Sequence, residues 1–158
     1  MIPNDEQRRF ILEKLIPFVE REHGHGFGMN IWFKNLKPGE LIIRDGLERL
    51  VPPCGMICCL GGSIEFLLGG APQRTLFFLD EARIKRAADA IGLTRDEAIA
   101  LFFYWHPKDG RIGAADRWPD SYAWRFNDAK TTEGKAAIAV ELLREIAEKG
   151  GEILHWEG

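Results

Sequence analysis

A chain of 158 residues, 46% hydrophobic and 28% charged, can bury a core without disulfides or a structural metal, and its composition excludes wholesale disorder. A formal charge of −3 leaves no basic excess to neutralise phosphates, which disfavours nucleic acid as a partner. The polar start Met1-Ile2-Pro3-Asn4-Asp5-Glu6 is no secretory signal, and no stretch matches the roughly 18 uncharged apolar residues of a membrane span.

The three cysteines, Cys54, Cys58 and Cys59, crowd into one short segment and make no disulfide framework. The expectation is a reduced, cytoplasmic protein with no membrane partner. One globular domain, 1–158, is expected.

In chain order, Asn4 or Asp5 should cap a helix running to about Glu22, with Phe10, Leu15, Phe18 and Val19 on its inner stripe and Pro17 kinking it or ending a first section. His23-Gly24-His25-Gly26 breaks that helix. Phe27 to Phe33 alternates like a short strand. Glu40 to Leu50 is ambiguous: Leu41-Ile42-Ile43 suits a buried strand, whereas Leu47-Glu48-Arg49-Leu50 suits a helical turn.

Pro52-Pro53 presets a helix start, and a helix from about Cys54 to Leu68 carries Met56, Ile57, Leu60, Ile64, Leu67 and Leu68 around most of its circumference. Gly61 and Gly62 inside it cost about 1 kcal/mol each relative to alanine, which implies a close backbone approach or a kink. Asp80 to Ile91 is expected as a helix with Ile84, Ala87, Ala88 and Ile91 inward and Gly92 closing it. Thr94-Arg95-Asp96-Glu97 is a capping box opening a helix that ends near Trp105-His106-Pro107.

Lys108 to Lys130 reads as a long loop, either packed by its own aromatics or functional. Thr131 or Thr132 caps a last helix through Lys149, with Ile138, Leu142, Leu143 and Ile146 inward, and Glu152 to Trp156 is a candidate edge strand. The fold class is mainly α: four to five helices around a central Cys/Gly-rich helix, with one or two short extended segments.

Several of these segments, Phe27-Gly28-Met29-Asn30-Ile31-Trp32, Cys54-Gly55-Met56-Ile57-Cys58-Cys59-Leu60-Gly61, Ile91-Gly92-Leu93-Thr94 with Glu97-Ala98 and Leu101-Phe102, and the threonine-capped last helix, resemble in type and order a group of uncharacterised bacterial and phage-borne small proteins. The sequence departs from that group at Met56, where a small hydroxyl residue is more usual. The resemblance implies the order of elements and brings no established function.

Three chemistries compete at the cysteines. A thiol in the first turn of a helix is acidified by the aligned peptide dipoles, so Cys54 is a candidate nucleophile, with His106 and Asp109, or His155, as base and orienting group. Cys54 and Cys58, four apart, with His23 and His25 make a weak metal set without the usual Cys-x-x-Cys pair, and no metal or cofactor is expected. Burial as small apolar residues is the favoured reading, above all for Cys58 and Cys59.

The short basic run Arg83-Ile84-Lys85-Arg86 reads as a solvated helix face, with an anion or RNA contact as the lesser alternative. Trp105, Trp118, Tyr122 and Trp124 in or beside the long loop are candidate binding residues, because tryptophan and tyrosine dominate interface hot spots; the competing reading is a satellite core. The leading functional expectation is a small non-enzymatic domain that binds a protein or small-molecule partner, leaving open a homo-oligomeric contact. A cysteine-dependent hydrolase or transferase is the alternative.

Overall fold

The computed structural model describes residues 2–21, 33–35, 41–44, 47–50, 56–58, 60–69, 81–102 and 118–154. Helices dominate them. The first rod is built from three consecutive segments: α1 (Asp5–Arg9), a π-helical stretch (Phe10–Leu15) and α2 (Ile16–Arg21). Asn4 caps it through a reciprocal box with Gln7, whose N–H donates to the Asn4 side chain while Asn4 N–H donates to the Gln7 amide oxygen, both at 2.9 Å.

Pro17 neither ends nor breaks this rod. It has no N–H for the helical ladder, and the turn just before it is widened so that Ile16 N–H reaches back five residues to Ile11 O. The extra residue in that turn rotates the buried stripe. Ile11, Leu15, Ile16, Phe18 and Val19 lie in the core, whereas Phe10, expected inside, is only partly covered.

Among the described residues four short strands follow, β1 (Phe33–Asn35), β2 (Leu41–Arg44), β3 (Leu47–Leu50) and β4 (Met56–Cys58). They form two antiparallel pairs, β1 with β4 (Phe33 opposite Cys58) and β2 with β3 (Leu41 opposite Leu50, Arg44 opposite Leu47). This resolves the ambiguity at residues 40–50 in favour of strand on both sides of Asp45-Gly46.

It also corrects the expected helix from Cys54. Met56–Cys58 is strand, and α3 (Leu60–Leu67) starts only after it. Leu60 and Ile64 are fully buried in α3, and Leu68 just beyond it is exposed.

The helical part continues with α4 (Glu81–Ile91), α5 (Arg95–Phe102), α6 (Asp120–Asp128) and α7 (Thr132–Lys149), then a single 3-10 turn, Gly151–Ile153, where an edge strand was expected. In α4 the buried residues are Ile84, Ala87, Ala88 and Ile91, the face its periodicity assigned. The Thr94–Glu97 box is formed: Thr94 N–H donates to Glu97 at 2.8 Å and Glu97 N–H to the Thr94 hydroxyl at 3.2 Å. Thr131 caps α7 by accepting from Gly134 N–H at 3.0 Å.

Helix α6 is the main departure. It lies inside the stretch 108–130 expected as loop and raises the separate helical rods to six among the described residues. Helix α7, about 27 Å long at 1.5 Å per residue, packs against the first rod on one side and α6 on another. The second layer is α3, α4 and α5, with α3 touching the first rod, α4 and α5. Ala139, Leu142, Leu143 and Ile146 of α7 are fully buried.

Candidate functional site

The aromatic residues around α6 sort by helical geometry. Tyr122 and Phe126, four residues apart in α6, share one side, and Trp118 lies just before the helix. Trp118 is 1% exposed, its indole N–H donates to Leu101 O at 3.1 Å, and its ring meets Phe126 edge-on at 4.8 Å between centroids. It is a core residue and not a contact surface. Phe126 O in turn accepts from the buried Lys135 ammonium at 2.8 Å, and that ammonium lies 4.7 Å from the Phe126 ring centre.

Tyr122 is partly buried against α7, where its hydroxyl donates to Glu145. Burial and the adjacent carboxylate push the Tyr122 phenol up to about 12. The Tyr122 hydroxyl and the Lys149 ammonium, which donates at 3.1 Å, hold Glu145 below the usual glutamate range. Arg125 is bonded to Glu141 of α7 as well. Both side chains therefore fasten α6 to α7.

Trp124 is turned the other way and is 62% exposed. With Asp120, Ser121, Asn127 and Asp128, all exposed, it forms the outward stripe of α6 at the helical spacing i, i+1, i+4, i+7, i+8. Among the described residues, neither Asp120 nor Asp128 has an ion-pair partner. These two carboxylates escaped the sequence reading because they become neighbours of Trp124 only once residues 120–128 are helical.

Other candidates are placed differently. Cys54, Trp105, His106, Asp109 and His155, together with His23 and His25, lie outside the described residues. Cys58 ends strand β4. Among the described residues no group of three or more His, Cys, Asp or Glu side chains converges as a metal set would.

Each cation of the basic run has a carboxylate partner. Arg83 and Arg86 both reach Glu65 of α3, whose side chain is 7% exposed, the second at 3.4 Å, and Lys85 pairs with Asp89 at 3.2 Å. A groove of about 600 Å³ is bordered by Arg8, Leu12, Tyr122, Arg144 and Glu145, of which Arg144 pairs with Glu20 and Glu145 with Lys149. No described helix is long and apolar enough to cross a membrane.

The outer stripe of α6 is thus the described surface where a large aromatic side chain meets solvent without a packing task. Comparison with protein-family models, with curated proteins and with solved structures finds no match.

Proposed function

We propose that this protein is a small, non-enzymatic interaction domain of the reducing cytoplasm, and that its protein partner contacts the outer face of α6 through Trp124. The observation that supports this reading is the 62% exposure of Trp124 on a helix whose opposite side already buries Phe126. Most of the Trp124 surface stands outside the packing of the fold. A partner that covered the ring would gain about 2–3 kcal/mol from removing its apolar surface from water. Trp is also the side chain most concentrated at the energetic centres of interfaces.

The test is affinity capture from an extract of the source cells with the wild-type chain and with Trp124→Ala in parallel. The variant should retain the wild-type circular dichroism and melting temperature and lose one or more captured proteins. If it folds normally and keeps every one of them, the reading is wrong.

A further inference from the structure

Resting on that reading, we infer that the partner presents a basic segment, with arginine or lysine side chains set over Trp124 and against Asp120 and Asp128. The two carboxylates lie at i−4 and i+4 from Trp124, on the same exposed stripe, one on each side of the ring along the helix. Eight residues at 1.5 Å per residue separate their backbones by about 12 Å.

No cation shares the stripe. Its members are Asp120, Ser121, Trp124, Asn127 and Asp128, and the neighbouring Arg125 is held by Glu141 on the α7 side. Local structure accounts for Asp120, because a carboxylate in the first turn complements the positive end of the helix. It does not account for Asp128. That residue closes α6, where the helix end is itself negative and a carboxylate is disfavoured, and it has no ion-pair partner among the described residues.

A tryptophan face attracts guanidinium and ammonium groups, and carboxylates on both sides deepen the same negative potential. The arrangement repels phosphate, so an anionic lipid surface or a nucleic acid is the wrong complement. An extended basic segment spans the roughly 12 Å between the carboxylates with about four residues at 3.3 Å each. Cations spaced i, i+4 along such a segment would meet Asp120 and Asp128 together.

The experiment is selection of a displayed random-peptide library on the full-length protein and on Trp124→Ala, followed by titration of an enriched peptide against the double variant Asp120→Asn/Asp128→Asn. Both aspartates are exposed, and unchanged circular dichroism will verify the fold. Peptides that depend on Trp124 should be rich in lysine and arginine, and the double variant should weaken them by about tenfold or more while flattening the salt dependence. Trp124-dependent peptides that are neutral or acidic, or that bind the double variant unchanged, would overturn the basic partner while leaving Trp124 as the contact. If no enriched peptide depends on Trp124, both readings fall together.

Discussion

Trp118 and Trp124 belong to the same short stretch of chain, yet one is buried and the other open to water. The burial of Trp118 has a local cause. The Trp118 indole N–H donates from across the core to the Leu101 carbonyl of α5. Phe126 O, at the end of α6, accepts from both Ala129 N–H and the Lys135 ammonium.

Trp118→Phe should therefore cost about 2–3 kcal/mol, because it removes core volume and a buried hydrogen bond. Trp124→Ala should stay within about 0.5 kcal/mol of wild type. Urea denaturation of the two variants checks this, and equal losses would refute the division of labour between the two rings. From sequence both are simply tryptophans beside a loop. The four-residue spacing of Tyr122 and Phe126 suited one helical face, but the glycines and aspartates of 108–117 argued for loop across the whole stretch.

At the scale of elements, α6 is held to α7 by the Tyr122–Glu145 and Arg125–Glu141 contacts, and the first of these carries a pH signature. Glu145 has its folded-state pKa lowered, so its contribution is present above the ordinary glutamate range and is lost as pH falls through that range and below it. Tyr122 is raised from 10.0 to about 12, so its contribution is complete below pH 10 and is lost as pH climbs towards 12.

Tyr122→Phe should lower stability by about 1 kcal/mol at neutral pH, the worth of one hydrogen bond to a partly buried acceptor. It should also remove the Tyr122 share of the loss above pH 10. Denaturation midpoints measured from pH 3 to 11 for both proteins decide the matter; a variant whose alkaline limb matches wild type would show that the clasp contributes nothing.

Elements with strong local signals were readable in advance, notably α4 by its inward face and α5 by its capping box. The start of α3 was not. Pro52-Pro53 and an apolar run suit a helix, but Met56–Cys58 pairs with Phe33–Asn35, over twenty residues earlier, and strand pairing at that distance leaves no local mark. The two-residue gap Asp45-Gly46 between β2 and β3 is, by contrast, a hairpin signal that the sequence did contain.

Over the whole molecule, the N-terminal segment closes onto the end of α4. The Gln7 amide, already engaged in the Asn4 cap, donates to Asp89 O at 2.8 Å. Gly92, with φ of 74°, permits this approach. A Cβ there would sit 2.7 Å from the Gln7 side-chain oxygen and 2.9 Å from the Pro3 backbone. Gly69 has a comparable φ of 88° but nothing within 4 Å.

Gly69→Ala should thus cost about 1 kcal/mol from backbone strain alone. Gly92→Ala carries the same strain plus a backbone clash and should cost at least about 2 kcal/mol. Thermal unfolding of the pair provides the comparison, and equal shifts would mean that the N-terminal segment does not press on Gly92.

What the sequence by itself determined is the mainly helical class, a cap at Asn4 or Asp5, one at Thr94 and one at Thr131 or Thr132, and the buried faces of the strongly periodic helices. Capping and periodicity act within one or two turns, so neighbours in sequence suffice to specify them. Only the tertiary structure decided that α3 starts at Leu60, that Pro17 is absorbed by a π-helical turn, that Arg83 and Arg86 spend their charge on Glu65, and that Trp118 is buried while Trp124 faces water. Each of these depends on a partner far along the chain or on which side of a helix meets the core, and the free energy of burial is settled only when the elements pack.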